Sequence, residues 1–330
     1  MQVPPELQRE MVSLVEQTKR RSGWSAGRTL EVLAISRSTY QRWLQSTARP
    51  TTSPRSGPDN LYALLPAERQ AVIEYALGHP EVRHRELAWK MVDAGVCAVS
   101  SSSVYRVLLE SNLVCRWKPK TKPPGTGREE RPTVPDRKWQ TDIKYVRGPQ
   151  GNYFLVSFMD VYSRYIVHHA LLRTMDGRTI STEAAAALEK LNGSAKPEIQ
   201  SDNGSGFISR VFAGTLSEFG VTHKKIRPHT PTDNAEIERY HRTIDERLNE
   251  LEAADFATTV TQVGRIIDHY NHERLHSALS FLTPADWYRG NPTTLLAERR
   301  RKLETAKALR KQENLKRRQG MLPWSEATVA

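Results

Sequence analysis

Three consecutive runs, KWQTDIKYVR (138–147), NYFLVSFMDVYSR (152–164) and YIVHHALLR (165–173), constrain this chain more than any other feature. They are rich in β-branched and aromatic residues. Only turn punctuation separates them, Gly148 and Gly151 in one gap and the Tyr162–Ser163 region in the other. Such runs read as three sequential antiparallel strands. The period then changes. A helix is predicted from about Thr179 to Leu191, ending at Gly193, then a short strand into Asp202 and a helix from Ser209 to Phe219 stopped by Gly220. A strand VTHKKIR (221–227) and two longer helices, from about Asp233 to Glu252 and Phe256 to His276, complete the region. That order predicts a mixed five-stranded sheet flanked by helices.

Three acids sit on these elements: Asp142 in WQTDI inside a strand, Asp202 in IQSDNGSGF at the end of another, and Glu238 in PHTPTDNAEIERYHR inside a helix, with 35 residues between the last two. Any one of them alone is ordinarily a surface charge or a helix cap. Together, on elements stiff enough to fix geometry, they can hold two divalent cations roughly 3.5–4 Å apart, which clamp the attacking and leaving oxygens of a phosphodiester. Magnesium takes oxygen ligands and keeps several waters, so a few carboxylates plus substrate phosphate suffice without His or Cys. The formal charge of +12 and a pI near 9.7 point to a polyanionic partner. Nucleic acid is favoured over membrane, because the chain has no apolar run of about 18 residues and no basic-then-apolar leader. Cys97 and Cys115 are too few for a disulfide framework or a four-cysteine zinc site, and fit a reducing cytosol.

Six segments are expected. Residues 1–46 read as a helix-turn-helix module: Ser25 caps a helix through Leu33 and ISRSTYQRWL starts another, which presents Arg37, Ser38, Thr39, Gln41 and Arg42 to phosphates and base edges. Residues 47–60 are a Pro/Ser/Thr/Gly linker. Residues 61–116 form a second helix-turn-helix-like module, whose serine-capped last helix carries Tyr105 and Arg106. The alternative for either module is a three-helix bundle with a solvated basic face. Residues 117–136, rich in proline and base and including Lys118 and Lys120, are a basic tether. The catalytic core spans 137–290, and 291–330 is a basic helix and tail. In that helix Leu296 and Leu303 are seven apart, while Leu309 and Leu315 continue the spacing only approximately. Its readings are a solvated helix, DNA-backbone binding, or pairing with another protomer.

The stretches WQTDI, FMDVYSRYIV, SDNGSGF, PHTPTDNAEIERYHRTI and YNHERLHSALSFLTPADW, spanning about 137 to 288, together resemble the retroviral-integrase type of catalytic core in bacterial insertion-sequence transposases, the group often made from two overlapping reading frames. The upstream modules are similar to that group's DNA-binding regions more loosely. The resemblance implies a ribonuclease-H-like fold, a two-metal Mg²⁺ (or Mn²⁺) site on Asp142, Asp202 and Glu238 with no zinc, and cleavage followed by strand transfer of a 3′-hydroxyl, with a donor-end circle before insertion. It also implies double-stranded DNA partners (terminal repeats and target), a homo-oligomer of at least two protomers on DNA, and a cytoplasmic, nucleoid-associated location. The alternatives are a catalytically inactive DNA-binding or assembly factor, and a nuclease that cuts without joining.

Glu236 is the rival third acid, but residues two apart on a helix point about 200° apart, so both cannot face one site. The family's Asp-Asn-Ala turn places its glutamate five after the aspartate; Asp233 plus five is Glu238, which leaves Asp233 as a helix cap. Members of the group usually carry a base both four and seven residues after the glutamate. Here the first is Arg242 and the second is Asp245, so Arg239, Arg242 and Arg247 are expected to share the grip on DNA. His223, Lys224, Lys225 and His229 flank the site and are candidate DNA contacts. Asp160 reads as a turn-fixing residue, and Asn203 and Gly204 as residues that shape the loop beside Asp202. HERLH (272–276) matches a zinc-protease pattern, but Pro284, Gly290 and Pro292 break the helix that would supply a third ligand.

Overall fold

The three β-rich runs form β1 (Lys138–Gly148), β2 (Gly151–Asp160) and β3 (Ile166–Leu172), successive antiparallel neighbours. A computed structural model describes residues 5–48, 60–114, 131–191, 196–227 and 234–321. A two-residue turn joins β1 to β2, with Gly148 opposite Gly151 and Gly151 at φ +119°, a conformation that L side chains rarely adopt. Between β2 and β3 the chain turns on Asp160, which is fully buried: Oδ2 accepts from the Ser163 N–H and hydroxyl, and Oδ1 from the Asp136 N–H. The turn-fixing role read for Asp160 is what these bonds describe. β4 (Glu198–Ser201) then pairs parallel to β1, and β5 (His223–Lys225) parallel to β4, giving the order β3-β2-β1-β4-β5. This mixed five-stranded sheet with helices on both faces is the ribonuclease-H-like fold that the sequence implied.

Alternation along β1 loads both faces. Trp139 joins Phe158, Ile180, Ile199, Phe207 and Phe212 in a core under α7 (Gly177–Glu189) and α8 (Arg210–Glu218). Val146 joins Leu155, Ile237, Tyr240, Ile244 and Tyr270 under α9 (Ala235–Asn249) and α10 (Phe256–His272). Asp176, Ser209 and Asp255 cap α7, α8 and α10 through their side chains. The cap bonds to Thr179, Thr174 and Arg178 hold the Asp176 carboxyl well below the usual range. Two helices are shorter than the sequence suggested. α9 stops at Asn249, and α10 stops at His272 because the chain beyond turns back, with His276 bridging Leu282.

Contacts divide the chain into two compact units, residues 1–63 with 314–330, and residues 64–313. In the first, α1 (Pro5–Ser22), α2 (Ala26–Val32, capped by Ser25) and α3 (Arg37–Ala48) close around Val15, Leu30 and Tyr40. In the second, α4 (Pro66–Gly78), α5 (His84–Asp93) and α6 (Ser101–Glu110, capped by Ser100) pack around Val72, Leu87, Met91, Val104 and Val107. Burial and the nearby Glu68 charge push the Cys97 thiol of this core up to about 11, so it is inert packing. Cys115, the linker over 49–59 and the tether over 115–130 lie outside the described residues.

The part of the C-terminal helix that belongs to the second unit has partners within that unit. After the short α11 (Pro284–Tyr288), α12 (Pro292–Met321) turns two arginines inward. Arg299 forks onto Asp93 and also donates to the carbonyls of Ser280 and Phe281; the Arg310 Nε–H is shared between both Glu68 oxygens at 2.9 and 2.8 Å. Leu296 and Leu303 are half-buried on this side, whereas Leu309 and Leu315 are exposed, so a continuous leucine seam does not form. Arg299 is 4% exposed and Asp93 42%, so Asp93→Ala leaves a buried guanidinium without its carboxylate. We expect a loss of roughly 1–3 kcal/mol by urea unfolding, below the range for fully buried pairs because water reaches Asp93, with Asp93→Ala/Arg299→Met recovering part of it.

Candidate active site

β1 and β4 pair with Thr141 opposite Ser201. The next residue on each strand path is an aspartate, so this register sets Asp142 and Asp202 side by side. Burial pushes the Asp202 carboxyl up and the Asp142 charge adds to it, while the Gly204 N–H, donating to Asp202 Oδ1 at 3.0 Å, opposes both. Glycine suits position 204 because a Cβ there would sit only 3.0 Å from the same oxygen. Asn203 ties the loop to the sheet by donating to the Ile226 carbonyl at 3.3 Å. Ser201 Oγ and His223 Nε2 meet at 2.9 Å behind it.

α9 lies along β1 and meets it in three rungs. Gln140 Oε1 accepts from the Ile237 N–H at 3.1 Å, Asp142 Oδ2 lies 3.4 Å from His241 Nδ1, and Lys144 Nζ lies 2.6 Å from Asp245 Oδ1. Two residues of strand advance about 6.6–6.8 Å and four of helix about 6 Å, close enough to stay in step over this length. His241 and Lys144 were not singled out from the sequence. Their signal was there, since 140, 142 and 144 share one strand face while 237, 241 and 245 share one helix face.

Glu238 stands between the first two rungs, 41% exposed, with its carboxylate 3.8 Å from Arg242. Asp142 and Asp202 are brought together; Glu238 is on the neighbouring helix. Among the described residues, no three His, Cys, Asp or Glu side chains meet closely enough to hold an ion. Glu236 is engaged elsewhere, 3.2 Å from Arg164 and 3.7 Å from Arg131, with Gln140 Nε2 at 3.4 Å. Asn234 occupies the cap position of α9, and Asp233 and His229 lie outside the described residues.

The candidate DNA contacts are distributed over several elements. Arg37, Ser38 and Arg42 are exposed on α3, and Tyr105 and Arg106 on α6, where Arg106 Nε also donates to the Ser102 carbonyl at 3.3 Å. Arg239, Arg242 and Arg247 are exposed on α9, and Lys224 lies on β5, 3.8 Å from Glu198. Lys118 and Lys120 lie outside the described residues. His272 and His276 do not share a helical face, since α10 ends at the first, and burial pushes the His276 imidazole down to about 3.

Two integrase core domain models match the chain, one over residues 132–231 and the other over 219–284, together covering the sheet, both aspartates and Glu238. Residues 132–284 of the chain thus match an integrase core. The chain is similar to the transposase for insertion sequence element IS904 of Lactococcus lactis, 27% identical over 48% of this chain and 64% of that one. It is also similar to a 31 kDa protein of insertion element IS600 from Shigella sonnei, 23% identical over 77% of this chain and 95% of that one. The match thus spans less than two thirds of the IS904 protein. Among solved structures, the HTLV-2 integrase catalytic core domain in complex with magnesium is 18% identical, with a TM-score of 0.41, over 48% of this chain and all of that one. Over part of its length the chain is thus similar to proteins of bacterial insertion sequences.

The two glutamates should separate in stability. Glu236 neutralises Arg164, whose side chain is 11% exposed. Glu236→Gln should therefore cost roughly 1–3 kcal/mol in urea unfolding, whereas Glu238→Gln should stay within about 0.5 kcal/mol. Equal losses would mean that Glu238 is also a structural residue.

Proposed function

We propose that the chain is a DNA transposase of the DDE type, with Asp142, Asp202 and Glu238 as the residues that hold divalent metal. The adjacency of Asp142, inside β1, and Asp202, just after the parallel strand β4, within an integrase core, carries this reading. The donor set suits Mg²⁺ or Mn²⁺ in a two-metal site: it is all carboxylate oxygen, part-exposed, and so close that one aspartate raises the affinity of the other for a proton. It contains no thiolate that would favour zinc. When bound, such cations would lower the pKa of the attacking water and neutralise charge on the scissile phosphate.

The protein's own residues then have distinct tasks. Asp142, braced by His241, and Asp202, braced by Gly204, fix two oxygens on the sheet. Glu238 reaches from α9 with less restraint. Water opens the phosphodiester at an element end and leaves a 3′-hydroxyl. That hydroxyl attacks a target phosphodiester in line, forming one P–O bond as another breaks, with no covalent bond to protein. α3 and α6 serve as recognition helices of two helix-turn-helix modules, and the exposed arginines of α9 and Lys224 line the DNA path. The division into six segments read from the sequence is kept as a functional division. Joining two ends requires at least two protomers on DNA. The exposed Leu309 and Leu315, rather than the docked side of α12, are the part of the tail left for that contact. None of the described helices is long and apolar enough to cross a membrane. The site of action is the DNA of the cytoplasm.

Two measurements test this. Asp142→Asn, Asp202→Asn and Glu238→Gln should each abolish cleavage and joining of labelled end DNA in Mg²⁺, by at least about 10³-fold, while end binding persists. Cleaved but never joined products from the unaltered chain would indicate a nuclease, and full activity of any of the three variants would remove that residue from the set. For recognition, Arg37→Ala, Arg42→Ala or Arg106→Ala should each reduce the preference for end DNA over random DNA by about 5–100-fold. Equal weakening on both DNAs would make these residues phosphate contacts only.

A further inference from the structure

Like Lys138, which lies 3.8 Å from Glu198, Lys144 is on the strand face that carries Asp142. It stands two residues farther along β1, so the two side chains project the same way, about 6.6–6.8 Å apart along the strand. Its ammonium is fixed by Asp245, 2.6 Å away on α9. The lysine is 23% exposed and the aspartate 36%, so water reaches both partners. An ion pair this open contributes little to stability, because screening and side-chain entropy offset most of the Coulomb attraction. What the pair does is hold a cation still. An ammonium has three donors and Asp245 takes one, which leaves donors for a further acceptor.

The next rung toward Glu238 holds the Asp142 carboxylate, so the seam between β1 and α9 presents a metal-holding acid and then a fixed base in sequence. Asp245 is seven residues after Glu238 and therefore points within about 20° of it around α9. The lysine is thus pinned on the side of the helix that faces the proposed metal site. Lysine serves phosphate as a point charge, and holding it in advance reduces the entropy lost when the phosphate arrives.

We propose that Lys144 grips a backbone phosphate of the DNA end next to the one being cut, and that Asp245 is the positioning residue that aims it. This rests on the transposase reading for the nature of the substrate, and adds a DNA contact supplied by a strand of the core.

The test uses the full chain and a labelled duplex bearing the terminal sequence of the insertion sequence that encodes it, with Ca²⁺ in place of Mg²⁺ so that binding is read without cleavage. Four further duplexes each carry one neutral methylphosphonate at a terminal phosphate. Lys144→Ala should weaken end binding about 5–20-fold and lower the slope of log affinity against log salt by about 1, with an unchanged urea midpoint. At one methylphosphonate position the unaltered chain should lose affinity while Lys144→Ala loses none further. Lys144→Arg should restore most of the binding, and Asp245→Asn should lose about 2–5-fold while keeping the salt slope. Unchanged affinity and slope for Lys144→Ala would overturn the proposal, as would a fall in its urea midpoint with no position-specific effect. Cleavage assays of the unaltered chain keep the two readings apart: absence of cutting by a chain that shows the Lys144 effect defeats the transposase reading alone, and normal cutting with no Lys144 effect defeats this proposal alone.

Discussion

The parallel pairing of β1 with β4 is the constraint on which the rest of the site depends. Thr141 and Ser201 oppose one another, and the aspartate that follows each is forced beside its counterpart. Two like charges so placed repel, and burial raises the penalty on Asp202. The sheet tolerates the conflict because the surrounding bonds are paid for elsewhere in the core: Trp139 and Ile199 are fully buried on the face opposite α9, and the Gly204 N–H takes part of the Asp202 charge. A register slip of one residue on either strand would turn one carboxylate toward that apolar face.

Much of this was legible in the sequence, for identifiable reasons. The strand runs and the serine caps are local signals: Ser25 and Ser209 cap the helices that they were expected to start, and a serine, Ser100, caps α6. The preference for Glu238 over Glu236 came from helical angle and from a family motif, while the pairing of Glu236 with Arg164 and Arg131 is a contact between distant segments. What was not legible depends on register between distant elements. Nothing near Lys144 in the chain announces Asp245, and Asp245 by itself looked only like an acid where a base was expected. His241 was hidden the same way. The end of α10 was overestimated because its apolar pattern continues, while the event that ends the helix is the pairing of His276 with Leu282.

The basic C-terminal helix shows a different limit. Its composition suggested water, DNA or another protomer as partner, and two of its arginines are instead buried on Asp93 and Glu68. Charge density in a sequence counts cations without saying which have already found an acid. For α12 the acids come from a module more than 200 residues earlier, with Arg310 and Glu68 separated by 242 positions.

That separation has a bearing on how the molecule is made. The module of α4, α5 and α6 leaves the ribosome long before α12 exists, and domains generally fold as they emerge. Until Arg310 arrives, Glu68 and the Ala98 carbonyl lack the guanidinium that they share in the finished protein. The early module therefore reaches its final state only once α12 has been synthesised, and a protein cut short before Arg310 carries an unfinished upstream module. In this way the finished state of the α4–α6 module is contingent on a helix translated more than 200 residues later.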